Sequence, residues 1–134
     1  MGPSYPTGVG VEPGLAATVE LTVKEGDTAE ALRSGDVPML ATPRVVALAE
    51  EASVQAVRDA LDPGDTTVGV RVQFDHLLAV PIGGSVRAEA KLESVEGRRL
   101  TFVVSVNSDR GLVAAGKVTR VVVHRDRFIE RAHE

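Results

Sequence analysis

The segment ATPRVVALAEEAS, residues 41–53, sets two carboxylates side by side on a stretch patterned as a helix. Neighbouring helical residues point about 100° apart, so Glu50 and Glu51 do not share a face. Counted from Pro43, the residues Arg44, Glu51, Gln55, Arg58 and Asp59 gather on one side, the solvated one. Val45, Val46, Ala49, Ala52, Ala56, Val57, Ala60 and Leu61 fill the other. Glu50 has Val46, Val54, Val57 and Leu61 at helical spacing and so enters the apolar arc. A carboxylate there must find partners, accept a raised pKa or sit at the edge of a cleft. It is either a boundary charge that reaches water or a group with acid–base chemistry to do.

A histidine shows the same anomaly. In TTVGVRVQFDHLL, residues 66–78, period-2 alternation puts Val68, Val70, Val72, Phe74 and His76 on one face. Gly69, Arg71, Gln73 and Asp75 take the other. A lone histidine at a strand end is commonly structural, but near an apolar-facing carboxylate it becomes half of a proton-transfer pair. Arg120 is a third polar residue in apolar surroundings, between Val118 and Val122 in GKVTRVVV. It reads either as an edge-strand charge that deters pairing or as a cation beside an anionic site. No metal centre is expected, because Cys is absent and the other histidines, His124 and His133, lie far along the chain without ligand spacing.

These side chains need a scaffold, and the chain supplies signals for one. Thr42 and Pro43 make a good helix start, with a hydroxyl at the N-cap and a proline at the first helical position. The helix should run to about Leu61, where DPGD stops it. AATVELTV, residues 16–23, is a strand, and residues 24–40 are a loop with one helical turn. Four further strands are expected over 66–78, 85–95, 99–107 and 112–124, separated by the turn signals PIGG, EGR and SDRG. One strand, a long helix and a four-strand meander give an α+β fold with the helix on one face of an antiparallel sheet. This is the hotdog arrangement. Residues 1–14, rich in Gly and Pro, are expected to form a flexible arm, with 15–134 a single domain. Exposed sheet edges predict a homodimer or a dimer of dimers.

Composition narrows the partners. With 134 residues, 25% charged and 43% hydrophobic, the chain suits one soluble domain with a real core. A net charge of −4, with Lys and Arg dispersed, argues against nucleic acid or an anionic membrane as partner. No apolar run is long enough to cross a bilayer and the start lacks signal-peptide blocks, so a cytoplasmic location is expected.

From about Pro38 to Phe128 the chain resembles the fluoroacetyl-CoA thioesterase family of hotdog proteins. The resemblance is carried by the helix ATPRVVALAEEA, the turn LDPGDTTVG, the strand end FDHLL, SVEGRRLTF and GKVTRVVVHRDRF, in that order. It implies hydrolysis of an acyl-CoA thioester by a catalytic set of Thr42, Glu50 and His76. Glu50 would be nucleophile or general base, His76 would polarise or protonate at the reacting centre, and Thr42 would position thioester or water. Gly69 and Arg120 would line the acyl pocket. No cofactor is implied beyond coenzyme A as part of the substrate. Fluoroacetyl-specific members carry phenylalanines before the helix as a lid, whereas EALRSGDVPML here has no aromatic residue. A general short acyl-CoA is therefore the expected substrate. The competing expectation is a non-catalytic hotdog module that binds acyl-CoA or another apolar ligand.

Overall fold

Val, Leu and Ala at every second position let five stretches of the chain bury one face each, and in a computed structural model covering residues 10–134 they pair into one sheet. The strands are β1 (Ala16–Thr22), β2 (Asp65–His76), β3 (Ser85–Glu96), β4 (Arg99–Ser108) and β5 (Gly111–His124). All pairings are antiparallel, in the order β1-β3-β4-β5-β2, so β1 and β2 are the edges. Alternation is strictest in β3 and β4, where Val86, Ala88, Ala90 and Leu92 sit beside Leu100, Phe102, Val104 and Val106 on the buried face. Each large side chain buried there contributes roughly 1.5–3 kcal/mol.

The long helix α2 (Thr42–Val57) lies against that face. Its buried stripe is Val45, Leu48, Ala49, Ala52, Ser53, Ala56 and Val57, the spacing of a single helical face. The alanines let the helix approach the sheet closely. Ser53, buried among them, is satisfied by donating to the Ala49 carbonyl at 2.9 Å. A 3-10 turn, Arg58–Ala60, ends the helix, and Gly64 turns the chain at φ +86°, where a side chain would be strained. The helix was expected to reach Leu61 and instead gives way to the tighter turn after Val57. Glu51 is exposed, as its angle requires.

Residues 24–40 hold more order than one turn. A 3-10 turn (Glu25–Asp27) leads into α1 (Ala29–Leu32), capped by Thr28, and isolated bridges tie Thr28 to Leu40 and Met39 to Pro81. Asp27 holds this segment to α2 by accepting from Arg44 Nε at 2.9 Å. Burial of Asp27 favours its neutral form, but bonds from the Lys24 N–H and from Arg44 outweigh it and hold the carboxyl below its usual value. A final helix, α3 (Arg125–Ala132), had no forecast, since RDRFIERA offers only Phe128 and Ile129 as large apolar residues and leaves both exposed.

Of the arm expected over 1–14, residues 1–9 lie outside the described residues. Val11 is buried in the core, and the Gly14 N–H bonds the Leu92 carbonyl. Among the described residues no helix is long and apolar enough to cross a membrane.

Candidate active site

Thr42 was expected to cap α2, but Ala41, in extended conformation, occupies the N-cap and no side chain caps the helix. Thr42 is the first helical residue, which frees its hydroxyl. That hydroxyl meets His76 Nδ1, at the end of β2, at 2.8 Å. The other ring nitrogen, His76 Nε2, is buried and has no hydrogen-bond partner among the described residues. A buried polar atom left unpaired costs about 1–3 kcal/mol, and native folds rarely tolerate one without a use for it.

A second cluster forms further along the helix. Glu50 Oε2 accepts from Arg120 Nη1 at 2.7 Å. Arg120 is fixed twice more, donating from Nε to the Thr67 hydroxyl and from Nη2 to the Thr67 carbonyl, both at 2.9 Å. Its side chain is 10% exposed, against 33% for Glu50, so the carboxylate is the outer member of the pair. Burial pushes the guanidinium below its ordinary pKa, and the Glu50 carboxylate beside it pushes back. Arg120 is not an edge-strand charge, because β5 lies between β4 and β2. The cation beside an anion is the arrangement found.

Gly69 makes this pair possible. A side-chain carbon there would collide with Glu50 Oε2 and stand 3.1 Å from Arg120 Nη1. Alternation placed Gly69 on the face away from His76, and here the structure differs. A bulge between Gly69 and Arg71 inserts Val70 as an extra residue, so the side-chain parity of β2 switches there. Thr67 opposes Val122, Gly69 opposes Arg120, Val72 opposes Val118 and His76 opposes Ala114. Cross-strand partners share a face. Thr67 and Gly69 therefore join Val72, Phe74 and His76 on the helix side, and Val68 and Val70 leave it. Val70 is 50% exposed. Thr67, which holds Arg120, had not been singled out from the sequence.

The two clusters are distinct within one chain. Thr42 and Glu50 are eight residues apart on α2, ~12 Å along the axis. No hydrogen bond joins Glu50 to His76; each has its own partner. A cavity of about 390 Å³ opens beside Thr42 and His76, walled by Met39, Leu78 and the loop from Ser34 to Val37. Among the described residues its lining holds no Phe, Tyr or Trp, and Glu50, Gly69 and Arg120 lie outside it. The groups present can polarise a carbonyl, move a proton and present a carboxylate, the ingredients of acyl-group hydrolysis. Among the described residues no cluster of His, Asp or Glu is arranged to hold a metal.

The profile of the fluoroacetyl-CoA-specific thioesterase family, FlK, matches residues 23–126. The chain belongs to this family. The fluoroacetyl-CoA thioesterase of Streptantibioticus cattleyicolor is 37% identical over 90 residues, 67% of this chain and 65% of that protein. The match thus spans just under two thirds of the relative's length. A variant of the fluoroacetyl-CoA thioesterase FlK, solved in complex with acetyl-CoA, superposes with a TM-score of 0.87 at 29% identity. That superposition covers 92% of this chain and 97% of the other. A Thermus thermophilus protein of the thioesterase superfamily follows at 0.84 and 26% identity, over 92% and 91% of the two chains. The hotdog architecture expected from the element order is shared with these structures.

Proposed function

We propose that the chain is an acyl-CoA thioesterase that hydrolyses short acyl-CoA thioesters with Thr42, Glu50 and His76. The observation that carries this is the buried His76 Nε2, unpartnered beside a cavity while Thr42 holds Nδ1. A substrate carbonyl or thiolate is the partner that atom lacks. The thioesterase relatives support the same reaction, and the acetyl-CoA bound to one of them supports a small acyl group.

In this scheme the acyl carbonyl approaches the first turn of α2, where the positive end of the helix stabilises the developing oxyanion. His76, oriented by Thr42, polarises the carbonyl or protonates the departing sulfur. Glu50 either attacks the carbonyl carbon or takes a proton from the attacking water. Arg120 occupies one oxygen of Glu50, and Oε1, which has no partner among the described residues, faces the reaction. The cavity wall, without Phe, Tyr or Trp among the described residues, suits a general short acyl group rather than a fluoroacetyl-selective lid.

The ~12 Å between Thr42 and Glu50 along one helix is too far for both to serve one small acyl group. A homodimer resolves this. With two α2 helices side by side and antiparallel, Thr42 and His76 of one protomer face Glu50 of the partner subunit. Edge strand β2, with Val70 and Val72 exposed and Leu77 exposed just past its end, is the surface that suits such pairing. The substrate brings coenzyme A with it, no further cofactor is required, and the cytoplasm is the compartment in which acyl-CoA is available.

The test is release of free thiol from a panel of acyl-CoA esters of increasing length, followed with a chromogenic thiol reagent. Turnover that is fastest for the shortest acyl groups is expected. Saturable acyl-CoA binding with no thiol release would instead identify a non-catalytic binding module.

A further inference from the structure

The basic cavity at the far end of β2 serves neither cluster described so far. It measures about 400 Å³ and is lined by Asp65, Arg98, His124, Arg127, Phe128 and Arg131. Three guanidiniums and an imidazole thus face one carboxylate, on a chain whose net charge is −4. Arg127 and Arg131 are four residues apart on α3 and so project from one side of it. Asp65 and Arg98 are each engaged in an interaction of their own. The guanidiniums of Arg127 and Arg131 form no ion pair among the described residues. His124 Nδ1 accepts from the Arg127 N–H at 3.5 Å, and its Nε2 packs beside Gly64. Forked guanidinium donors that outnumber the one carboxylate in the lining fit phosphate oxygens.

We propose that this cavity binds the phosphate groups of the coenzyme A moiety, with Arg127 and Arg131 as the principal contacts. The inference rests on the acyl-CoA reading above and extends it to the part of the substrate remote from the chemistry. Spacing supports it. Asp65 and Gly69 lie on the same face of β2, opposite His124 and Arg120, and the four intervening steps precede the bulge. At the rise of a strand they span ~13 Å. The pantetheine arm between thioester sulfur and first phosphorus is about a dozen atoms, the backbone of about four residues, and reaches ~13 Å when extended. A thioester held at Glu50 therefore carries its diphosphate to the Arg127–Arg131 wall. Binding energy collected there would hold the substrate without touching the reacting bond.

The double substitution Arg127→Ala with Arg131→Ala tests this, since both side chains are exposed and their loss spares the core. Two readouts are needed: kinetics on acetyl-CoA and on S-acetyl-pantetheine, and calorimetric binding of coenzyme A at several salt concentrations. The expected result is a KM for acetyl-CoA raised about tenfold or more, as for loss of charge-assisted hydrogen bonds. The kcat and both constants for S-acetyl-pantetheine should stay unchanged, and coenzyme A binding to the native chain should weaken steeply with salt. If acetyl-CoA is hydrolysed but neither its KM nor coenzyme A binding responds to the double substitution, the phosphate site is wrong and the thioesterase reading survives. If nothing is hydrolysed yet coenzyme A binds and the double substitution weakens it, the phosphate site stands and the thioesterase reading fails. Absence of both hydrolysis and coenzyme A binding overturns the phosphate site too.

Discussion

Glu50 keeps one oxygen on Arg120 and leaves the other open, and the missing side chain of Gly69 is what permits the contact. Gly69→Ala should therefore dislodge the carboxylate while leaving the strand in place, because the backbone there needs no unusual φ. Loss of a charge-assisted hydrogen bond is worth about 1.5–3 kcal/mol, so kcat should fall about tenfold or more. Thiol release measured beside the melting temperature separates this from unfolding. An unchanged rate would show that the Glu50–Arg120 contact is dispensable. A second prediction concerns Asp27, whose folded pKa lies below its ordinary value. A carboxyl depressed on folding adds stability that is present above the unfolded pKa, about 3.9, and is lost as pH falls through the lower folded value. Arg44→Ala removes part of that depression. Compared with the native chain, it should lose up to about 1 kcal/mol near pH 6 and little near pH 2. Urea midpoints at the two pH values read this directly, and equal losses at both would remove Asp27 from the explanation.

At the scale of elements, the sequence displayed the helix and the meander through periodicity alone, because α2, β3 and β4 bury one face over their full length. Angle on the helix separated Glu50 from Glu51 for the same reason. Three things escaped. The bulge at Val70 reverses the parity of β2, and no composition signal marks it, so Gly69 was assigned to the face away from His76 and Thr67 was not singled out. The partners of Glu50 and His76 depend on contacts across 70 and 34 residues of sequence, which local pattern does not encode. Helix α3 is too short and too polar to show an apolar stripe. The alignment of β2 against β5 also has a requirement of its own at Gly116. A side-chain carbon there would lie 2.8 Å from Phe74 Cα and collide with the Gln73 carbonyl, both backbone atoms that cannot swing aside. Gly116→Ala should cost about 2–3 kcal/mol, lowering the melting temperature by ~10 °C. Because β2 carries Gly69 and His76, activity should fall with it even below the new melting temperature. A melting temperature within a degree of the native one would show that the strands separate freely at this point.

For the whole molecule, one chain carries two polar clusters, Thr42–His76 and Glu50–Arg120, on the same side of the sheet but apart along α2. Dimerisation through the apolar edge at β2, where Leu77 is 60% exposed, would unite them. Mixing makes this testable. Glu50→Ala and His76→Ala chains, each inactive alone, should regain activity when unfolded together and refolded. A randomly assorted pool holds half mixed dimers, each with one intact site, so about a quarter of native activity is expected for a two-fold assembly. No recovery would confine each site to a single chain. The most direct measurement of the central claim is simpler. The rate of thiol release from acetyl-CoA is to be compared between the native chain and Glu50→Ala, with the circular dichroism spectrum and melting temperature recorded for both. Catalysis by Glu50 requires turnover by the native chain and a loss of about a hundredfold or more in the variant, the scale of a removed base or nucleophile, with the fold retained. A folded Glu50→Ala chain that still turns over acetyl-CoA at the native rate would contradict it.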